Sequence, residues 1–201
     1  MAEAITGPAL ALLDIGEIPR GLRALDGLIK EAEVEIIGAG TVQGCRYLIM
    51  FAGEVEPVQR SLVRAKEIGA ETLVDTVLLP YAEERIVPAI RDGTVRWPAP
   101  GDTLGMVQTS TPSTMLRAVE AGLKGALVEL VQLRICDGLH GKAIAAFWGE
   151  THDVEAAIEL AEIAIGRGVF DGFRTEIIRR ADPAVVEALI PGSTFFKEWR
   201  G

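Results

Sequence analysis

Two stretches of this 201-residue chain are versions of one another, and that duplication restricts the fold more than any other feature of the sequence. The run LALLDIGEIPRGLRALDGLIKEAEVEII from Leu10 aligns without a gap with LGMVQTSTPSTMLRAVEAGLKGALVELV from Leu104, an offset of 94. Leu22, Arg23 and Ala24 fall on Leu116, Arg117 and Ala118, while Lys30, Ala32, Val34 and Glu35 fall on Lys124, Ala126, Val128 and Glu129. Gly44 still matches Gly138, but Phe51, Gly53, Glu54 and Val58 match Phe147, Gly149, Glu150 and Val154 only at an offset of 96. The second copy therefore carries two extra residues, inside RICDGLHGKAIAAFWGE.

Each copy reads as the same order of elements. LALLDI is a short apolar run, after which Pro19 suits a first helical position and Leu22, Leu25, Leu28 and Ile29 recur at helical spacing. VEIIGAG and YLIMFAG follow as two adjacent strands joined by the short loop TVQGC. A second helix opens after Gly53-Glu54, with Val58, Leu62 and Ala65 on one face, ends near Gly69 and leads into the strand TLVDTVLL. In copy two, Thr111-Pro112 opens the first helix, and Val154, Ala157, Ile158 and Ala161 mark the buried side of the second. The pattern predicts an α+β chain of two tandem ferredoxin-like units, β-α-β-β-α-β each. Similar tails, LLPYAEERIVPAIRDG and IIRRADPAVVEALIPG, close the copies, and the Pro- and Gly-rich TVRWPAPGD reads as a linker. The expected division is 1–92 for the first domain, 93–102 for the linker and 103–201 for the second. Two domains this small are expected to need neighbours.

Charge and hydropathy exclude several function classes. A net charge of -9 with no Lys/Arg cluster argues against a nucleic-acid partner, which requires a concentrated basic face. The apolar runs are broken by charges and the N-terminus MAEAITGP lacks a basic region, so neither a membrane span nor a signal peptide is expected. Two Cys in an otherwise Cys-poor chain are expected as free thiols in a reducing compartment.

The run LDGLIKEAEVEIIGAGTVQG with YLIMFAGEVEPV, and again VEAGLKGALVELVQLRICDG with GETHDVEAAI, resembles the bacterial microcompartment shell domain. The resemblance covers about Ala9 to Ile190 and implies an unpermuted tandem-domain shell protein of the bacterial cytoplasm, a structural protein and not an enzyme. It implies a homotrimer shaped like the hexamers of single-domain relatives, laid beside shell hexamers and pentamers, with the strand-to-strand loops lining a central pore for small metabolites. On that reading the pore-lining residues are Gln43, Gly44 and Cys45 of the first loop, and Cys136, Asp137, Gly138 and His140 of the second. Lys30 and Lys124, duplicated at one repeat position, are implied to lie at tile edges, although Lys ending an amphipathic helix also suits the negative end of the helix dipole. A weaker match places Tyr81, Arg179 and Arg180 at edges too.

Other chemistries for the second loop stay open at this level. Cys136 and His140 within one loop suggest a nucleophile pair, which needs direct contact and a third orienting group. Gly138 and Gly141 suit a tight turn that leaves Asp137 and His140 to set the polarity of an opening. The soft or imidazole ligand candidates are Cys45, Cys136, His140 and His152, with no C-x-x-C, so a metal site closed within one chain is not expected. Some tandem shell proteins that this chain resembles hold an iron–sulfur cluster through a pore Cys in a C-P-G-K type loop; here Gln43 occupies that position and Cys45 stands two residues later. The expected cofactor is none, with Cys45 and Cys136 as the cluster candidates. A competing class is a free small-molecule sensor of ferredoxin-like fold.

Overall fold

The computed structural model describes residues 7–92, 102–136, 138–166, 172–187 and 189. These divide between Ala82 and Glu83 into two compact units. In the first, β1 (Ala9–Ile15), α1 (Ile18–Glu31), β2 (Glu35–Val42), β3 (Arg46–Gly53), α2 (Val55–Gly69) and β4 (Leu73–Leu79) follow in the expected order. The second holds α3 (Ile86–Asp92), β5 (Thr103–Thr109), α4 (Pro112–Gly125), β6 (Glu129–Ile135), β7 (Ala143–Gly149), α5 (Thr151–Ile165), β8 (Arg174–Ile178) and α6 (Pro183–Glu187). Each sheet has four strands, ordered β2-β3-β1-β4 and β6-β7-β5-β8, and every pairing is antiparallel. This is the ferredoxin-like α+β topology, twice. No helix among the described residues is long and apolar enough to cross a membrane.

Strand β1 is apolar apart from Asp14, and all seven of its residues are buried, so both of its faces meet the interior. Ala9, Ala11, Leu13 and Ile15 enter one core with Ala24 and Leu28 of α1 and Val58, Leu62 and Ala65 of α2. Leu10 and Leu12, on the other face, are buried as well. The copies also share a bulge: the β2/β3 register slips between Ile36 and Gly38, and the β6/β7 register between Leu130 and Gln132, the same repeat position. Elsewhere they fill one volume by opposite choices. A Cβ on Gly21 would stand 2.3 Å from Tyr47 Cβ, so the tyrosine packs directly on the α1 backbone. The corresponding positions in copy two hold Met115 and Ala143, both fully buried. Large and small have exchanged sides, which conserves core volume.

Helix starts follow local chemistry. Thr111 caps α4 by accepting from the Thr114 N–H at 3.2 Å, and Pro112 begins the helix. In α1 the helix begins one residue before Pro19, at Ile18. Trp148 is a packing residue whose indole N–H donates to Asp102 at 2.7 Å. Trp97, Trp199 and residues 93–101 of the linker lie outside the described residues.

One element packs away from the repeat that precedes it. Helix α3 follows β4 in the chain, and the division at residue 92 placed it with the first domain. Its contacts are with β6 and α4 of the second unit. Arg85, just before α3, is the tether: its guanidinium reaches the Val128 carbonyl at 2.9 Å and the Leu123 carbonyl at 3.4 Å, with Glu129 3.7 Å away.

Candidate functional site

The β2–β3 and β6–β7 connections occupy the same place in the two copies, and strand pairing sets their sizes. Strand β2 continues through Thr41 and Val42, so the first loop is Gln43, Gly44 and Cys45 alone, all exposed. Reversal in so few residues requires left-handed backbone, found at Gly44 (φ 85) and Cys45 (φ 59).

The second loop, Cys136 to Lys142, is a self-bonded turn. The Cys136 N–H donates to the Lys142 carbonyl at 3.0 Å, the Leu139 N–H to the Cys136 carbonyl at 3.2 Å, and the Lys142 N–H to the Leu139 carbonyl at 3.0 Å. Among its described residues, Cys136 (φ 61), Gly138 (66), His140 (55) and Gly141 (82) take positive φ. Gly138 and His140 are exposed at the tip, whereas Cys136 is buried and its thiol donates to the Gly141 carbonyl at 3.8 Å. Cys136 thus lies beneath the loop and holds its base. Asp137 lies outside the described residues.

That arrangement bears on the chemistry the sequence left open. A buried thiol turned to a backbone carbonyl is not presented to a substrate, so the nucleophile reading has no support from Cys136. Among the described residues no three His, Cys, Asp or Glu converge as a metal site. An iron–sulfur cluster needs several thiolates, and each chain exposes one, Cys45. The residues of a single chain do not fit a cluster. His152 is also exposed, against Glu150 and Asp153 rather than a thiol.

Under the first loop lies a charged group that sequence reading did not single out. Asp14 of β1 is completely buried, 3.2 Å from the guanidinium of Arg46 at the start of β3 and paired in register with Asp75 of β4. Neither carboxylate oxygen accepts a hydrogen bond. Burial pushes the Asp14 pKa up to about 6, Arg46 pulls it down less strongly, and Asp75 adds a further upward push. The available signal was a mismatch between copies: Gln108 stands at the Asp14 position and Lys142 at that of Arg46.

The two duplicated lysines each pair with an acid one turn back. Lys30, in the last turn of α1, lies 2.7 Å from Asp26, and Lys124, in the last turn of α4, pairs with Glu120 one turn back. Tyr81 is exposed, and Arg179 pairs with Glu155 beside Arg180, which is itself left-handed (φ 50).

The BMC domain profile matches residues 9–82 and again 103–180, which are the two copies with their sheets. The chain is 26% identical over 171 residues to the bacterial microcompartment shell protein PduT of Citrobacter freundii, covering 85% of this chain and 92% of that protein. A crystal structure of a microcompartment protein from Desulfitobacterium hafniense DCB superposes with a TM-score of 0.76 at 24% identity, over 92% of this chain and 99% of the other. A fused permuted hexameric shell protein from the RMM microcompartment superposes at 0.57 and 19% identity, over 77% and 80% of the two chains. With more than half its length matched and each match laid on one copy, the chain belongs to the BMC domain family, as a bacterial microcompartment shell protein with two BMC domains in tandem.

Proposed function

We propose that three copies form a pseudohexameric tile of the shell, in the bacterial cytoplasm, with six strand-to-strand loops around a central pore for small metabolites. The observation that carries this reading is the second loop: a turn closed by its own backbone hydrogen bonds that presents Gly138 and His140, which flank Asp137 in the sequence, outward. Repetition around an axis turns one such tip into a ring, where three carboxylates and three imidazoles set the charge that a solute meets. The first loop is shorter, so the six tips alternate in reach and the second-loop residues dominate the narrow part. No catalytic step belongs to this function. The pore carries no cluster, a reading supported by the burial of Cys136 and by Gln43 at the position where cluster-binding relatives hold Cys.

The test has two arms. Light scattering under reducing conditions gives three times the 21.5 kDa chain mass, since neither Cys forms a disulfide within the chain; a mass of one chain overturns the tile. In assembled shells, Asp137→Asn and His140→Ala change the flux of a charged metabolite several-fold, and unchanged flux in both variants overturns the pore assignment. Cys45→Ser leaves the absorbance spectrum as it was. A brown parent protein whose colour disappears in Cys45→Ser restores the electron-transfer reading.

Lys30 and Lys124 belong, on this reading, to the edges where tiles meet. The Lys30–Asp26 pair lies at the surface, where such pairs contribute about 0–1 kcal/mol, whereas Lys124 pairs with the largely buried Glu120. Lys30→Ala therefore leaves the thermal midpoint of the isolated protein nearly unchanged, and either Lys30→Ala or Lys124→Ala impairs sheet formation in the electron microscope. Normal sheets from both variants remove the lysines from the edge.

A further inference from the structure

The charged group beneath the first loop has a counterpart in the second copy, and the two differ in sign. In copy one, Asp14 and Asp75 are register partners on β1 and β4, and Arg46 approaches Asp14 from β3 at 3.2 Å. In copy two, Gln108 stands at the Asp14 position and Lys142 at that of Arg46, while the register partner of Gln108 is Arg174. Acid, acid and cation have become amide, cation and cation. The cations respond to the exchange. Arg46 directly follows Gln43, Gly44 and Cys45, yet its side chain is only 15% exposed, turned under the loop to a carboxylate that is itself fully buried. Lys142 directly follows Gly141 of the second loop and is exposed, as is Arg174. The second copy thus displays the base of such a loop with a neutral residue at the Asp14 position.

The surroundings of Asp14 leave its charge to two neighbours. Strand β1 is packed by β3, β4, α1 and α2. The helices meet its other face through Ala24, Leu28, Val58, Leu62 and Ala65, none of which titrates. On the Asp14 face, β3 brings Arg46 and β4 brings Asp75, the two charges that act on Asp14. The β1/β4 register slips between Asp14 and Ile15, so regular pairing of these strands ends at Asp14.

We propose that Asp14 is a proton-operated latch on Arg46: ionised, it stows the guanidinium beneath the first loop, and neutral, it releases it to solvent at the base of that loop, as Lys142 already stands in the second copy. A buried guanidinium that loses its carboxylate is drawn to water, which its long side chain reaches by changing rotamer. The latch works in mild acid, because Asp14, buried without an accepted hydrogen bond, takes its proton near pH 6. Asp75 competes for the arginine from a half-buried position, where solvent weakens its hold. The consequence for transport rests on the tile proposed above. Around its axis the three exposed Lys142 side chains at the loop bases are joined by three arginines as pH falls, and anions pass more readily.

Phenylglyoxal, which modifies accessible guanidinium groups, reads the latch directly. Arg64 is exposed, and the ratio of Arg46 to Arg64 modification within one sample, taken by peptide mass spectrometry, cancels the reagent's own pH dependence. In the parent the ratio is low at about pH 8 and rises several-fold at about pH 5, on either side of the Asp14 transition. In Asp14→Asn it is high at both. A flat ratio in the parent, or a low one in Asp14→Asn, overturns the latch and leaves Asp75 holding the arginine; should Asp14→Asn lose its far-ultraviolet circular dichroism, the parent's pH series decides. Transport is read in assembled shells carrying His140→Asn, which removes an imidazole that titrates over the same range and suits the left-handed backbone there. Flux of a small sulfonate, whose charge is constant over this range, rises several-fold in acid, and Arg46→Gln removes the rise. A rise that survives in Arg46→Gln, or an absent rise beside an opened latch, overturns the arginine's part in the pore. A one-chain mass by light scattering overturns the tile and leaves the modification result standing.

Discussion

Arg85→Ala is expected to destabilise the second unit by about 1.5–3 kcal/mol, the range for hydrogen bonds made by a charged group. The side chain is about three-quarters buried, with its Nε 2.7 Å from Glu83, its two terminal nitrogens on the Val128 and Leu123 carbonyls and Glu129 beside it. Truncation leaves two carbonyls and two carboxylates facing the gap, and α3 loses its fastening to α4 and β6. Lysine at this position recovers little, because an ammonium cannot span the fork of acceptors that a guanidinium fits. The deficit also depends on pH. The hydrogen bond from Arg85, opposed by burial and helped by the Arg85 charge, holds the Glu83 carboxyl below its ordinary value of 4.5. A carboxylate with a lowered folded pKa contributes stability that is complete above its unfolded pKa and disappears as pH falls through the folded one. The gap between parent and variant in urea midpoints should therefore be full at neutral pH and narrow below about pH 4.5. A gap under about 0.5 kcal/mol at neutral pH, the size of an ordinary surface substitution, would remove Arg85 as the tether.

Asp14→Asn should abolish a component of the pH dependence that runs opposite to acid unfolding. The Asp14 pKa rises from 3.8 unfolded to about 6 folded, because burial without an accepted hydrogen bond outweighs the nearby Arg46. Between those values the folded chain binds more protons than the unfolded one, so this group lowers stability as pH increases from about 4 to about 6. Below that window the penalty is absent, and above it the penalty is complete, about 3 kcal/mol at about 1.4 kcal/mol for each unit of pKa. Asparagine has no charge to bury. Its chevron or denaturant midpoints should lack this falling slope, so the variant gains on the parent as pH climbs from 4 to 6. The substitution also takes from Arg46 its carboxylate, which shifts the two curves by a constant amount; the slope is the diagnostic. Parallel curves over that window would show that Asp14 titrates normally.

The loops illustrate how local chemistry and pairing divide the work. Gly138 and Gly141 signalled a tight turn, and the two-residue difference in repeat offset placed the insertion in the second loop. The loop lengths were not legible. Strand β2 carries its pairing with β3 through Thr41 and Val42, residues whose sequence context reads equally well as loop, and only the cross-strand partners Tyr47 and Arg46 decide it. Burial of Cys136 was hidden for the same reason. A Cys between Ile135 and Asp137 has no periodicity to assign its side chain, and its direction came from a left-handed backbone that the turn's own hydrogen bonds impose.

The sequence by itself determined the element order, the duplication and the family, because these rest on spacing, and spacing survives translation along the chain: apolar residues at periods of two and near four, proline at helix starts, glycine at turns, each seen twice. Tertiary structure alone decided which groups lose water. Asp14 looks like any acid at a strand end until β3 and β4 close over it, and Arg85 looks like a surface residue of a tail until the carbonyls of Leu123 and Val128 meet it. Leu22 and Leu116 are the same residue at the same repeat position, yet one is open and the other dry. Periodicity marks both as apolar and cannot separate them, because burial depends on what arrives from elsewhere in the chain or from another copy of it.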